Sequence, residues 1–197
     1  MNKQIAFVTG NTSKYNQVQH LLAHFDPTIT LEQVAIDLPE CQTLDVQKIA
    51  LGKAKDAWGR LQKPLIIEDG GIYLKKYNQF PGTLSKFVFN GIGLDGILKL
   101  IDDDNGAYFK SCLVYIDGKN SYQFFQGTCN GTIIKPKSGD TIDPELPYTA
   151  LFVPDGFNQT LKELHDSKQY SPYHHRWQVI DQFVTWYNNK DNNHATE

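Results

Sequence analysis

The chain has 197 residues and a net charge of −3, and its apolar and charged fractions, 40% and 21%, are ordinary for one globular domain. This acidic balance disfavours a nucleic-acid polymer as the partner, although a nucleotide needs only a local cluster of cations. The three cysteines match neither a zinc site nor a disulfide framework, and no apolar run suits a signal peptide or a membrane span, so we expect a cytoplasmic protein without a membrane partner.

The first half of the chain alternates predicted strands and helices. Residues 4–9 form a short apolar run typical of a buried strand, and residues 13–25 carry apolar side chains at helical spacing. A second strand is predicted over 28–36. The next helix is predicted over 45–61, with Asp45 as its N-cap.

The second half changes character. A strand over 64–69 enters acidic residues, and a helix is predicted over 93–101. Two strand patterns on either side of Asp117-Gly118 then predict a long β-hairpin. An amphipathic helix over 174–187 follows. We expect a mixed α/β fold in a single domain over residues 1–190, with a disordered polar tail over 191–197.

The first strand-to-helix junction has the composition of a phosphate site. Backbone N–H groups and the helix dipole attract anions there, Thr9 and Asn11 add donors, and Lys14 adds a positive charge. Taken alone, this stretch favours a plain helix N-cap with a solvated lysine, because the glycine-rich loop of a nucleotide fingerprint is absent.

The pair Glu68-Asp69 ends a continuous apolar run and precedes two glycines. We expect the strand to deliver both carboxylates to an open turn, where a hard divalent cation such as Mg²⁺ would neutralise them. Alternatively, Glu68 ends the strand in solvent and Asp69 starts a turn. The stretch by itself does not separate these two interpretations.

Three shorter stretches add candidate residues. Glu40 follows a proline-stiffened turn and is a candidate metal ligand, and Lys48 in the next helix is a candidate phosphate contact. Ser85 lies at a predicted helix start after Pro81-Gly82. His175 and Arg176 open the last helix. Each of these features, taken singly, is more typical of an ordinary structural or surface residue.

In this order, the motifs resemble the inosine triphosphate pyrophosphatase family. That family has a "TGN" followed by a lysine, a "DLPE", an "ED" pair, a "PG" followed by a serine, and a late "PDG" followed by His-Arg. All of these occur here between about residue 5 and residue 187. The resemblance implies an elongated two-lobed fold with a central mixed sheet flanked by helices, and usually a homodimer.

The resemblance also implies a reaction, the Mg²⁺-dependent hydrolysis of a non-canonical nucleoside triphosphate to the monophosphate and pyrophosphate. Asp69 would be the catalytic base beside Glu68, with Glu40, Glu68 and Asp69 as metal ligands or their supports. The implied substrate-binding residues are Thr9, Asn11, Lys14, Lys48, Ser85, Tyr148, Thr149, Phe152, His175 and Arg176.

The sequence departs from the family at the base-reading end. Gly70 stands where Thr or Ser is usual, and Thr149-Ala150 replaces an Asp-Pro after the aromatic Tyr148. Near the end, Tyr170, Ser171 and His174 replace Lys, Asn and Ser. We therefore expect a relaxed base preference. Two alternatives stay open, a nucleotide-binding sensor with little turnover and a hydrolase of other modified nucleotides.

Overall fold

The computed structural model describes residues 3–102, 104–137, 139–169 and 172–194. Its strands are β1 Lys3–Val8, β2 Ile29–Val34, β3 Leu65–Leu74, β4 Pro81–Gly82, β5 Gly106–Gly118, β6 Ser121–Ile133 and β7 Phe152–Pro154. Its helices are α1 Thr12–Phe25, α2 Val46–Leu61, α3 Ser85–Leu100, α4 Leu161–Asp166 and α5 His175–His194, with a 3₁₀ turn at Pro147–Ala150. None of these helices is long and apolar enough to traverse a membrane.

One mixed sheet organises the fold, with strand order β2-β1-β3-β5-β6-β7 and with β4 paired to β3. Strand β1 runs parallel to β2 and β3, whereas the later strands pair antiparallel. Helices cover both faces of the β1–β3–β5 region. The predicted mixed α/β fold with a central mixed sheet is therefore confirmed.

Alternation along β3 assigns its side chains to two separate core layers. Ile66 packs with α1 and α5, whereas Leu65 and Ile67 pack against α2. Successive side chains on a strand point to opposite faces, so even-numbered residues here face α1 and α5, and odd-numbered residues face α2. A third apolar cluster, built around Ile72, Ile97 and Phe152, fills the other end of the sheet.

The "ED" pair lies inside a strand, which corrects the expected turn. Strand β3 continues through Glu68, Asp69 and both glycines to Leu74, because β5 pairs with it along this whole length. The apolar run after the glycines supplies the buried residues that extend the strand. Consequently the two carboxylates point to opposite faces of the sheet instead of sharing one turn.

Other element boundaries differ by a few residues from the sequence prediction. Helix α3 starts at Ser85, and its second half after a break at Gly93 (φ 64°) matches the predicted helix over 93–101. The hairpin turns at residues 119–120, two positions after the predicted signal. Helix α5 continues through His194, four residues into the segment predicted as a disordered tail, and 195–197 lie outside the described residues.

Strand β4 approaches β3 so closely at Gly71 that there is no space for a side chain. A Cβ at this position would lie 1.9 Å from the backbone oxygen of Gly82, whereas a Cβ at the exposed Gly59 of α2 meets nothing within 4 Å. We expect Gly71→Ala to lower the free energy of unfolding by roughly 1–3 kcal/mol or more. The control Gly59→Ala should raise it by roughly 0.5–1 kcal/mol, because alanine favours a helix interior. Urea unfolding measures both, and an undestabilised Gly71→Ala protein would contradict this packing.

Candidate active site

A gap along one edge of β3 forms the candidate site. Strand β1 pairs with this edge only at Leu65 and Ile66, and β4 pairs with it only at Ile72 and Tyr73. Residues 67–71 between them have no partner strand on that edge in the described structure. The gap is open to both faces of the sheet, with α1 and α5 on one face and α2 on the other. Residues from all three helices therefore meet beside one strand edge.

A cavity of about 260 Å³ opens at this gap. Its charged lining consists of four cations, Lys14, Lys53, Lys86 and Arg176, and three carboxylates, Glu40, Asp69 and Glu145. Its uncharged lining includes Asn11, Gly70, Gly71, Thr83, Ser85, Phe109, Ser111, Leu146, Pro147, Tyr148, Thr149 and His175. Cations and carboxylates thus share one small volume, the composition expected where a polyphosphate and a cation would bind together.

Glu68 lies beneath the cavity and does not line it. Its side chain is fully buried, with Lys14 Nζ 2.9 Å from Oε2 and Arg176 Nε 3.4 Å from Oε1. The Ser111 hydroxyl donates to Oε1 at 2.6 Å. Burial opposes ionisation of this carboxyl, but Arg176 and Lys14 outweigh that effect and lower its pKa to about 2. Glu68 therefore serves as a permanent buried anion that positions two cations.

A polar network from three elements fixes Arg176. Its Nη1 donates to Gln17 Oε1 on α1 at 2.9 Å, and its backbone N–H donates to His174 Nδ1 at 3.0 Å. Gln17 Nε2 lies 3.0 Å from His165 Nδ1, and His165 Nε2 lies 2.8 Å from His174 Nε2. Burial holds the pKa of both histidines well below the ordinary range. His174 thus supports Arg176 and does not line the cavity.

Asp69 faces the opposite side of β3 and has a different partner. Lys53 Nζ lies 2.6 Å from Asp69 Oδ2 and 2.9 Å from Glu40 Oε2, so one ammonium group bridges two carboxylates. Asp69 Oδ1 also accepts the Gly70 N–H at 2.8 Å. Burial lowers the pKa of Lys53, but Asp69 and Glu40 more than offset this and the net pKa is raised. Lys53 therefore stays charged in the cavity.

The structure brings Lys53, and not Lys48, to the site. The Lys48 side chain is 74% exposed, and its Nζ lies 3.8 Å from Asp45, the helix N-cap. At about 100° per residue, Lys53 falls in the middle of the buried face that includes Val46, Ala50 and Ala57, and Lys48 falls on the opposite side. A lysine in the centre of an apolar helical face is the sequence signal that could have pointed to Lys53, and the sequence analysis missed it.

The start of α1 has the geometry of an anion site. Asn11 caps the helix by accepting the Lys14 N–H at 2.6 Å, and Thr9 Oγ1 accepts the Asn11 N–H at 3.1 Å. Lys14 Nζ donates to the backbone oxygen of Glu68 at 3.0 Å, on the unpaired edge of β3. Asn11 and Lys14 line the cavity, whereas Thr9 shapes the turn behind them.

Two stacked aromatic groups contribute to the cavity wall, and His175, which also stacks on His174 with centroids 4.4 Å apart, is 1% exposed. The rings of Phe109 and His175 stack with centroids 4.9 Å apart and planes 12° apart, and both residues line the cavity. Phe152, expected to stack on a base, is fully buried in the core and contacts Phe109 edge-on instead. Phe109 was missed because a strand aromatic in a hairpin resembles any other core residue.

Tyr148 and Thr149 line the cavity, but their hydroxyl groups are already bonded. Tyr148 donates to the backbone oxygen of Ser85 at 3.0 Å, and Thr149 donates to the backbone oxygen of Leu146 at 2.8 Å. The Ser85 hydroxyl in turn bonds the backbone of Ile72 and Gly82. These residues therefore shape the wall through mutual contacts. The replacements Tyr170 and Ser171 lie outside the described residues.

A side chain at position 70 has no room in this structure. A Cβ on Gly70 would lie 2.6 Å from the backbone oxygen of Lys110 and 2.9 Å from Ser111 Oγ. Ser111 pairs with Gly70 across the β3–β5 ladder. Gly70 lacks the hydroxyl that the family usually has at this position. Ser111 of the neighbouring strand places a hydroxyl nearby, and it donates to Glu68.

The metal ligands expected from the sequence do not converge as a group. Glu68 is engaged by Lys14 and Arg176, and only Glu40 and Asp69 face the cavity together. Among the described residues, no cluster of three or more His, Cys, Asp or Glu side chains forms a metal site.

The ion pairs of Glu68 predict a pH-dependent stability. Because the folded-state pKa of about 2 lies below the ordinary value of 4.5, this stabilisation is present above pH 4.5 and is lost as the pH falls towards 2. We expect Glu68→Gln to lower the free energy of unfolding by roughly 3–5 kcal/mol at pH 7, since it leaves two cations buried without their anion.

Urea unfolding at several pH values tests this expectation. The difference between wild type and Glu68→Gln should shrink between pH 4.5 and pH 2. The control Glu32→Gln removes a surface carboxylate paired with Lys63, and it should cost less than about 1 kcal/mol at any pH. A Glu68→Gln difference that does not vary with pH would contradict the ion-pair assignment.

Comparison with known proteins identifies relatives along nearly the whole chain. The chain is 32% identical to the dITP/XTP pyrophosphatase of Methanopyrus kandleri over 188 residues, covering 94% of this chain and 97% of that relative. It is 31% identical to the inosine triphosphate pyrophosphatase of Saccharomyces cerevisiae, covering 92% and 94% of the two chains. The resemblance inferred from the sequence motifs is therefore confirmed.

Solved structures share the fold at lower identity. The Staphylococcus aureus Ham1 protein superposes with a TM-score of 0.72 at 19% identity, covering 95% of this chain and all of that one. The HAM1 protein of Coxiella burnetii superposes with a TM-score of 0.74 at 18% identity, covering 95% and 99%. The sequence profile of the Ham1 family matches residues 5–186. With this profile, these relatives and this fold in agreement, the chain belongs to the Ham1 family.

Proposed function

We propose that this protein is a nucleoside triphosphate pyrophosphatase that hydrolyses non-canonical nucleotides of the inosine and xanthosine type to the monophosphate and pyrophosphate. The observation that carries the proposal is the cavity at the β3 gap, where four cations line the same volume as Asn11 at the start of α1, beside Glu40 and Asp69. Its relatives from Methanopyrus kandleri and Saccharomyces cerevisiae bear the names of such enzymes. Nucleotide-pool sanitation is the corresponding role.

Positive charge in the cavity suits a triphosphate chain. Lys14 and Arg176 are held in place by the buried Glu68, so their positions are set before any ligand binds. Lys53 and Lys86 approach from α2 and α3. Fixed cations in a partly enclosed cavity stabilise negative charge without reorganisation during the reaction. These four residues would hold the phosphate chain and align it for attack.

Glu40 and Asp69 fit a Mg²⁺ ion shared with the substrate. Both carboxylates already face a single cation, the Lys53 ammonium, which shows that their oxygens point to a common place. Carboxylate and phosphate oxygens are the ligands Mg²⁺ prefers, and it commonly keeps several waters. Bound there, the ion would supply positive charge to the phosphate oxygens. Glu68, already engaged by two cations, is left out of this ligand set.

Asp69 is the residue best placed to act on water. Its carboxylate lines the cavity, with Oδ1 oriented by the Gly70 N–H and Oδ2 by Lys53. We assign it the task of orienting the attacking water and accepting its proton. Water attacking the phosphorus next to the sugar would release pyrophosphate and the nucleoside monophosphate together.

Base selection rests on the wall formed by Phe109, His175 and Thr149. The Phe109 ring lines the cavity with His175 stacked on it, and an aromatic surface suits any base, while the Thr149 hydroxyl donates to Leu146 instead of presenting a carboxylate. A site without a charged hydrogen-bonding group discriminates less between a keto and an amino group at the purine six position. We therefore propose weak selection for inosine and xanthosine triphosphates over adenosine and guanosine triphosphates.

We also propose a cytoplasmic homodimer. Leu84 at the N-cap of α3 and Phe87 and Ile92 on α3 are 43%, 78% and 46% exposed, an apolar surface that a second copy would cover. The cytoplasmic part of the proposal rests on the sequence, in which the spacing of Cys41, Cys112 and Cys129 matches no disulfide framework. Size-exclusion chromatography with light scattering of the wild type and of Phe87→Ser tests the dimer.

A panel of nucleoside triphosphates with Mg²⁺ tests the activity. We expect inosine, xanthosine, adenosine and guanosine triphosphates each to give equal amounts of pyrophosphate and monophosphate, with less than about a hundredfold spread in kcat/KM. Asp69→Asn keeps the shape of the side chain but removes the proton acceptor, so kcat should fall by about two powers of ten or more. Release of inorganic phosphate, or near-normal turnover by Asp69→Asn, would contradict the proposal.

The two lysines of α2 provide a matched pair of variants. Lys53→Ala removes a cation that contacts Asp69 and Glu40, and we expect kcat/KM to fall about tenfold to a hundredfold for every base. Lys48→Ala removes the same charge from the same helix on its exposed side, and kcat/KM should stay within about twofold. Steady-state kinetics measure both, and equal losses in the two variants would mean that the cavity is not the phosphate site.

A further inference from the structure

The start of α1 is occupied by a carboxylate from a distant part of the chain. Glu145 Oε2 accepts the Ser13 N–H at 2.8 Å, and the backbone oxygen of Glu145 accepts Asn11 Nδ2 at 3.0 Å. Both donors belong to the first turn of α1 or its cap. A carboxylate thus takes a free backbone donor of the helix, where the dipole favours negative charge.

A second observation indicates that the surrounding cavity is built for an additional anion. Arg176 is 6% exposed and lines the cavity, and its Nε has only the long 3.4 Å contact with Glu68 Oε1, without a hydrogen bond among the described residues. Its charge is only partly matched by Glu68, which is shared with Lys14. One buried anion thus serves two cations, which leaves positive charge beside the cavity that the phosphate chain in the proposed function would match.

We propose that Glu145 competes internally with the substrate's phosphate chain for the start of α1. This inference rests on the proposed function, which places a phosphate beside Asn11 and Lys14. One backbone N–H serves one strong acceptor, so a phosphate oxygen reaches Ser13 only when the Glu145 carboxylate withdraws. Glu145 therefore weakens the binding of every ligand that occupies this position, and it leaves ligands that do not reach it unaffected.

The position of Glu145 allows such a withdrawal. Its side chain is only partly buried, and residues 139–146 belong to no helix or strand. The carboxylate forms no ion pair within the described structure, and its one hydrogen bond is to a backbone N–H that phosphate would also use. Leaving the site breaks few contacts, while charge repulsion from an arriving phosphate favours departure.

The competition makes Glu145 a residue that selects ligands by their phosphates. A triphosphate has several charged oxygens to engage Lys14, Lys53 and Arg176 and so to offset the cost of displacing the carboxylate. A monophosphate product has fewer charged oxygens to offset the cost of displacing the Glu145 carboxylate. This cost therefore weakens the binding of the product more than the binding of the triphosphate. Glu145 would in this way favour entry of the triphosphate and release of the products.

Glu145→Gln tests the competition directly, because glutamine keeps the shape and an acceptor oxygen but loses the charge. We expect the Kd for inorganic pyrophosphate, measured by calorimetry with Mg²⁺, to fall about threefold to thirtyfold. The KM values for inosine and adenosine triphosphates should fall by similar factors, since the base is not involved. Binding of inosine, which lacks phosphate, should not change.

Two further variants keep the result interpretable. Glu32→Gln removes one negative charge from a surface pair far along the sheet, and it should leave pyrophosphate binding unchanged. Glu145→Ala removes the side chain altogether and should tighten pyrophosphate binding at least as much as Glu145→Gln does. Thermal unfolding of both Glu145 variants checks that α1 stays folded without its carboxylate.

Several results would overturn the inference. Weaker or unchanged pyrophosphate binding by Glu145→Gln would mean that the carboxylate aids the ligand or is never displaced, and the absence of pyrophosphate binding by every variant would refute a phosphate site there. Failure of the proposed function is a separate result. A wild type that binds pyrophosphate but hydrolyses no triphosphate would refute the function, while the binding comparison still decides the role of Glu145.

Discussion

The buried carboxylate of Glu68 is the interaction on which the arrangement of the site depends. It lies in the central strand and contacts Lys14 of α1 and Arg176 of α5, two residues 162 positions apart in the chain. An ionised group without exposure is tolerated only when its charge is fully matched, so the three elements must meet in one orientation. The same contact that stabilises the packing therefore also fixes two cations at the edge of the cavity.

The gap beside β3 explains how one strand serves two different tasks. Where β1 has ended and β4 has not begun, the strand edge is open, and alternation sends Glu68 towards α1 and α5 but Asp69 towards α2. Glu68 is consequently a buried structural anion, whereas Asp69 faces the cavity with Lys53. Two adjacent carboxylates that look equivalent in the sequence thus have separate environments and separate proposed roles.

The residues that depart from the family are accommodated by local contacts. Gly70 leaves no room for a side chain, and Ser111 from the neighbouring strand supplies a hydroxyl at that place. Thr149 bonds to Leu146 in the segment that also carries Glu145. In the proposed function, buried charges hold the end of the cavity assigned to phosphate, and neutral contacts hold the end assigned to the base. This difference is the physical reason to expect altered base selection with retained phosphate chemistry.

The sequence by itself determined the alternation of strands and helices in the first half, the hairpin, the N-cap Asp45 and the family, because these depend on local periodicity and on short motifs. Helical periodicity also contained the information that Lys53, and not Lys48, faces the core. Only the tertiary structure decided that the "ED" pair lies within a strand, since pairing with β5 extends β3 past two glycines. It alone brought Gln17 to Arg176 and Glu145 to the start of α1, because these contacts join residues more than 130 positions apart, and no local pattern encodes them.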